Sequence, residues 1–281
     1  MMYDELNERL NSARKQFLYP GMFLVITGFV GTFLFMDSVG PSLIFVVILG
    51  FILLIVYSSK SSAVSKEFKQ KFVAALIDSE FDNVSYFIEG RLSKEAFYKY
   101  DFGLSGNIYK SNDHIEATYK GVRFSLCDVL LQQRTRSGKT THTVTKFQGP
   151  VLRIKLSKSQ PGRLQVLESS RLTWFDHYDK VEMESITFNN TFNVYTTNEL
   201  LAFYILTPHF MEKLMKVERE NPGKLYFTFI DGYLNIGLYN RKDNFEVAGK
   251  TISDDTLLLF KSQIHKIKEI IEEVVKIEEA N

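Results

Sequence analysis

The chain has 281 residues and one cysteine, Cys127. A lone thiol excludes an intramolecular disulfide and a cysteine-only metal site. On its strand-like stretch it reads as a small buried apolar residue. Acidic residues are missing from the whole interval between Asp128 and Glu168. Charge of either sign is missing from two apolar runs, FLYPGMFLVITGFVGTFLFM at 17–36 and VGPSLIFVVILGFILLIVY at 39–57. Internal repeats and low-complexity segments are also lacking.

About 20 apolar residues at 1.5 Å each span a hydrocarbon core of roughly 30 Å, so each run is long enough for one crossing. The connector around Asp37, Ser38 and Gly40 is too short to be a domain, which makes the pair a tight antiparallel hairpin. A cleaved signal peptide needs a basic leader, a shorter core and an A-x-A site. Here Asp4, Glu5 and Glu8 accompany Arg9, Arg14 and Lys15, and no such site follows. Lysine and arginine sit on the outer flanks (Arg9, Arg14, Lys15; Lys60, Lys66, Lys69, Lys71) and are absent from the connector. That asymmetry predicts two spans in the cell membrane with both termini cytoplasmic. Tyr19 and Tyr57 fall where interfacial aromatics are expected. Gly21, Gly28, Gly31 and Gly50 would let the helices approach closely. With no ionisable residue inside either span, the hairpin reads as an anchor and not as an ion pathway.

The fold class expected is α+β: a two-helix transmembrane hairpin over 1–59, a membrane-proximal helical segment over 60–103, an antiparallel β region over 104–170, and a strand-helix-helix-hairpin-helix region over 171–281. In the second segment Phe68, Phe72, Ala75, Leu76 and Ser79 share a helical face, and Ser93 caps a short helix over 93–100. From 105 the period becomes two, as in HIEATYK, and Lys120-Gly121 punctuates two strands. Further on, VEMES and FNNTFNVYTT read as strands. Asn198 caps a helix, Pro208 starts another at the position where its missing amide costs nothing, and Asn221-Pro222-Gly223 stops it. Asp231-Gly232 is a hairpin turn that needs positive φ. The boundary near 170–180 is soft.

RSGKTTHT at 136–143 ends like a nucleotide-binding loop, but the first glycine of G-x-x-x-x-G-K-[ST] would stand where the chain has Gln133. THTVTKF then alternates like a strand, where a phosphate loop must enter a helix. No nucleotide is expected, and Ser137-Gly138 becomes the tip of a β-hairpin. Around it lie Arg134, Arg136, Lys139, Lys146, Arg153 and Lys155. Arg153 and Lys155 share one strand face, opposite Leu152, Ile154 and Leu156, and Arg134 and Arg136 share one. The expected result is a basic sheet face that contacts anionic lipid or an acidic partner protein. The competing reading is a solvated face balanced by Glu269, Glu272, Glu273, Glu278 and Glu279. Nucleic acid ranks lower, because aromatics for base stacking are few.

The last segment spaces Leu257, Phe260, Ile264, Ile267, Ile271 and Val274 by 3, 4, 3, 4, 3, a short coiled-coil seam for a partner or a second copy. Leu258, Ile270, Val275 and Ile277 widen the stripe, which also suits a helix packed on its own domain. The five histidines form no H-x-x-x-H pair, and no metal or cofactor is implied. No G-x-S-x-G elbow marks a nucleophile. Asp176, His177 and Asp179 are the best candidates if the chain is instead a membrane-tethered enzyme. A polar loop explains them equally well.

Phe192-x-Val194-Tyr195, Leu206-Thr207-Pro208-x-Phe210-Met211 and Asp231-Gly232 together resemble the C-terminal signature of a bacterial membrane-protein family catalogued as a domain of unknown function. The resemblance implies two N-terminal transmembrane helices before a soluble region, and it brings no catalytic residues. Thr197-Asn198 stands where the family has an acidic-proline pair. The reading reached is a membrane-anchored, cytoplasm-facing interaction or scaffold module, and not an enzyme; an oligomeric envelope component is the further alternative.

Overall fold

A computed structural model of the chain describes residues 3–34, 40–156, 161–168, 178–220, 223–242, 246–247 and 251–280. The hairpin connector at Asp37 and Ser38, the Asp176–His177 pair and the Asn221-Pro222 stop lie outside them. The chain divides into two compact units, one of residues 1–76 with 246–261, the other of 77–245 with 262–281.

The first unit is helical. Helix α1 (Asp4–Ala13) passes through a π-helical turn at Arg14–Leu18 into α2 (Tyr19–Leu34). Helix α3 (Gly40–Phe68) passes through a second π turn at Lys69–Val73 into α4 (Ala74–Glu80). An α-helix satisfies its own backbone polar groups, which suits runs whose side chains carry no charge. Two helices here are long and apolar enough to cross a membrane, and only 11% and 6% of their most apolar windows are buried. Phe23, Phe33, Phe45 and Ile55 point outward, 66–83% exposed. Where α2 meets α3, glycine is required. A Cβ on Gly50 would stand 2.9 Å from the Gly21 carbonyl oxygen and 2.9 Å from the Val25 amide nitrogen. Both are backbone atoms that cannot swing aside.

Helix α1 was legible in the sequence only as a charged flank. Leu6, Leu10 and Ala13 recur at helical spacing and are buried. The Tyr3 ring meets Phe72 at 5.1 Å and Phe68 at 6.1 Å. Asn7 donates to the Ile252 carbonyl at 2.7 Å and accepts from its amide at 2.9 Å. Phe68 and Phe260 pack at 6.1 Å. The face expected beyond Phe68 is shifted. Val64, Phe68, Val73 and Ile77 are buried, whereas Ala75 and Ser79 are exposed. A π turn inserts one extra residue, so the step from Phe68 is five residues to Val73 and not four to Phe72.

The second unit is built on one nine-stranded antiparallel sheet in the order β1-β2-β3-β4-β9-β8-β5-β7-β6. Its strands are β1 (Asp82–Phe87), β2 (Ile108–Tyr119), β3 (Val122–Ser137), β4 (Thr140–Lys155), β5 (Arg163–Glu168), β6 (Asp179–Val181), β7 (Phe192–Thr196), β8 (Lys224–Ile230) and β9 (Tyr233–Tyr239). Every pairing is antiparallel. Strands from before and after residues 170–180 share this sheet, since β4 pairs with β9 and β5 lies between β8 and β7. Lys120-Gly121 and Asp231-Gly232 both place two successive residues at positive φ, +49° and +80°, then +53° and +76°. Such turns match the right-handed twist of the strands they join.

One expected strand is partly helical. Ser185 accepts from the Phe188 amide and caps α6 (Ile186–Thr191), so only 192–196 of FNNTFNVYTT is strand. The Asn189 side chain then bonds the Met183 amide and carbonyl at 3.0 and 2.7 Å. The other caps fall as read. Ser93 receives Ala96 N at the start of α5 (Lys94–Tyr98), and Asn198 receives Leu200 N at the start of α7 (Glu199–Ile205). Pro208 opens α8 (Pro208–Glu220), and α9 (Asp254–Ala280) is the long C-terminal helix.

Both sheet faces are covered in part. One carries Phe124, Leu126, Ile154, Phe227 and Phe229, and meets helices; Phe210 of α8 stacks on Phe227 at 5.3 Å. The other carries Cys127, Val129, Leu131, Phe147, Val151 and Tyr226 beneath a strap formed by α5 and the residues after it. Phe97 and Phe102 of the strap meet Phe147 and Tyr226 at 6.0 and 5.7 Å.

Candidate anion-binding surface

The register of β3 and β4 decides what the basic residues can do. Leu131 pairs with Phe147 and Gln132 with Thr145, so Lys146 is an extra residue on β4 and β3 itself stays regular. Side chains alternate along a regular strand. Arg134 and Arg136 therefore lie on the helix-covered side of the sheet, with Leu126. Ser125 pairs with Arg153, which puts Arg153 and Lys155 on the strap side, with Cys127. Nine residues of β3 separate Arg134 from Ser125, about 30 Å at 3.3 Å per residue. The single basic face expected from the sequence is thus two surfaces, on opposite faces and opposite ends.

The first surface is an arm. Strand β2 pairs with β3 only as far as Gln132, and β9 pairs with β4 only from Val151. Residues 133–144 consequently project as a two-stranded ribbon, exposed from Arg134 to Val144. The turn is Gly138-Lys139, with Gly138 at φ +60° closing the Ser137–Thr140 pair. Arg134 faces Thr143 and Arg136 faces Thr141. The Arg134 Nε reaches Thr143 Oγ1 at 3.5 Å, and the Arg136 Nε donates to the Gly138 carbonyl at 3.3 Å. Lys139 stands at the tip and Lys146 at the bulge, both exposed. At the base, a cleft of about 440 Å³ opens between the strap and the arm, with Asn107 and Gln133 in its wall.

The second surface is partly spent. The Arg153 guanidinium lies 3.8 Å from the Tyr233 ring centroid and 5.0 Å from that of Tyr100. Lys155 pairs with Tyr233 and is exposed. Arg153 begins a polar row that the sequence does not reveal: Arg153, Asn235, Thr228 and Gln165 are successive cross-strand partners. Asn235, Thr228 and Gln165 are buried; Asn235 donates to Thr228 at 3.3 Å, and the other two hold the strap by its backbone. Thr228 Oγ1 donates to the Tyr100 carbonyl at 2.6 Å, and Gln165 Nε2 to the Asp101 carbonyl at 2.6 Å. Tyr178 closes the strap by bonding Asp101 at 2.5 Å. Burial, and then that carboxylate, push the Tyr178 phenol up to about 12. The signal for this row is pairing register, which no single strand carries.

Two acids of α9 are engaged elsewhere. Glu272 takes Tyr119 and Lys120 at 2.8 and 2.7 Å. Glu273 takes His209 at 2.7 Å, Lys276 at 3.0 Å and Lys213 at 3.2 Å. Neither balances the arm. The heptad-like seam is occupied within the chain: Phe260, Ile264, Ile267, Ile271 and Val274 are buried, and Leu257 is half-buried. Asp179 is exposed at the start of β6. Among the described residues no cluster of three or more His, Cys, Asp or Glu side chains is placed to hold a metal ion.

Residues 145–276 match the model of a family described as Protein of unknown function (DUF3137). The three stretches that carry the sequence resemblance fall inside that match. No curated protein matches the sequence. Among solved structures, the crystal structure of the mycobacterial trehalose monomycolate transport factor A, TtfA, aligns with a TM-score of 0.36 at 7% identity, over 67% of this chain and 86% of that one.

Proposed function

We propose that this protein is a membrane-anchored interaction module that presents the β3–β4 arm to an anionic partner. The observation that carries the reading is the arm: three cations with a fourth, Lys146, at its base, no acid, and exposure on both faces. A solvated structural hairpin needs none of these together. Two apolar helices with outward-facing phenylalanines support the anchor, because a helix in a soluble core is mostly buried. The flanking cations and a connector without lysine or arginine favour both termini in the cytoplasm. There, each arginine or lysine near an anionic surface gains on the order of 1 kcal/mol.

The test is affinity purification of the full chain from its native membrane, alongside a variant with Arg134→Glu, Arg136→Glu and Lys139→Glu. The wild-type chain is expected to retain an anionic lipid or an acidic protein that the variant loses. Identical recovery from both would remove the arm from the function.

A further inference from the structure

We propose that the outer edge of the arm, on β4, accepts an extended acidic segment of a partner protein as an added β-strand. This rests on the reading of the arm as the contact site and names the kind of partner it takes.

Backbone direction supports it first. Ser137 and Thr140 close a two-residue turn, so the pairs Thr135–His142 and Gln133–Val144 bond inward. The intervening pairs, Arg134–Thr143 and Arg136–Thr141, turn their N–H and C=O groups outward. Arg134 confirms the parity, since its amide and carbonyl both bond the Asn107 side chain, outside the hairpin, at 2.8 and 2.7 Å. The two edges of the arm thus differ. On β3, an asparagine stands in for a neighbouring strand. On β4, Thr141 and Thr143 present the equivalent groups, and none of the described residues bonds them. Further along β4, the Gln148 carbonyl accepts from the Asn240 and Arg241 amides at 3.1 Å, where the chain leaves β9. A strand added beside 141–145 would continue the line of β9 across a stretch of about 17 Å.

Charge then selects the occupant. A second copy would bring its own Arg134, Arg136, Lys139 and Lys146 against these, and cations on an edge oppose such self-pairing. An acidic strand meets the opposite condition. The Arg134 side chain already crosses β4 at Thr143, so its guanidinium leans toward the open edge, within reach of carboxylates on alternate residues of an added strand. In strand addition the main chain supplies affinity and alternate side chains supply specificity. A lipid headgroup would use the cations and leave the Thr141 and Thr143 backbone groups idle, so the open edge favours a peptide.

The test uses the full chain in zwitterionic nanodiscs and a synthetic peptide of alternating glutamate and valine. A second peptide has the same sequence but is N-methylated at every other residue, which removes the donors that would face the arm and keeps the charge. The unmodified peptide is expected to bind, and methylation to weaken binding at least about tenfold. Thr143→Pro, which deletes an outward N–H without touching an inward bond, is expected to weaken it similarly. Arg134→Gln with Arg136→Gln should weaken both peptides. Equal binding of the two peptides, or indifference to Thr143→Pro, would overturn strand addition while leaving an ionic contact intact. Recruitment of phosphatidylserine vesicles with no peptide binding would assign the arm to lipid. Silence toward peptide and vesicles alike, together with an unaffected charge-reversal variant, would remove the anionic partner as well.

Discussion

The Asn107 side chain bonds both backbone groups of Arg134, donating at 2.7 Å and accepting at 2.8 Å. One amide thereby replaces the strand that β2 would have supplied had it begun two residues earlier. An isolated two-stranded ribbon is marginal in water, so this contact decides where the arm stops being part of the sheet. Asn107→Ala should speed hydrogen exchange at the Arg134 amide by about the factor that 1 kcal/mol gives, roughly fivefold, without moving the global unfolding midpoint.

Gly50→Ala should disrupt the α2–α3 crossing, because its Cβ meets two backbone atoms at 2.9 Å. A cost of about 1–3 kcal/mol is expected. Gly31→Ala is the control, since its Cβ would meet only Leu43 side-chain atoms, the nearest at 3.1 Å. Thermal unfolding in detergent should separate the two; equal melting would mean the glycine contact is not what sets the crossing.

Removing residues 1–59 deletes α1 together with both apolar runs. Tyr3 then no longer packs on Phe68, and the Ile252 backbone loses Asn7. Such a fragment should bind a hydrophobic dye and melt below the full chain. Asn7→Ala in the intact protein should cost about 1–3 kcal/mol by stranding the buried Ile252 amide and carbonyl.

Glu273 gives a pH dependence of definite sign. Burial alone would raise its carboxyl, but hydrogen bonds from Lys276, Lys213 and His209 outweigh that and hold it below its ordinary value. A depressed folded-state value means the unfolded chain takes up the proton first. The stabilisation is therefore present above the ordinary glutamate range and is lost as pH falls through the folded-state value. It should amount to on the order of 1 kcal/mol after solvent screening. Denaturant midpoints at pH 7 and pH 4 should differ less for Glu273→Gln than for the native chain.

Cys127 is buried on the strap side, where burial, then Asp128, pushes its thiol up to about 12. It should resist maleimide at pH 7 in the folded chain and react fully in denaturant. Ready labelling of the native protein would contradict the packing beneath the strap.

Local chemistry made much of this fold legible. Ser93 and Asn198 announce helix starts because a side-chain oxygen there satisfies an orphan amide. Asp231-Gly232 and Lys120-Gly121 announce hairpins because their turns need positive φ. Where local signals failed, an unseen neighbour had intervened. A π turn at Lys69–Val73 moved the buried face by one residue. Ser185 captured Phe188 N and turned the start of an apparent strand into helix. Leu6 and Leu10 were present in the sequence, but nothing local said that they would be buried.

The basic residues show the same division most clearly. Their clustering between Asp128 and Glu168, the exclusion of acids and the Gly138 turn are properties of the sequence alone, as are the two uncharged apolar runs. Which of those residues share a surface was decided by tertiary structure. A single extra residue, Lys146, and the ends of β2 and β9 put Arg134 and Arg136 on a free arm and leave Arg153 stacked between two tyrosines. Alternation along one strand fixes a side chain's face relative to its own neighbours. Only pairing with other strands fixes which face is covered, where cover ends, and which backbone edge stays open.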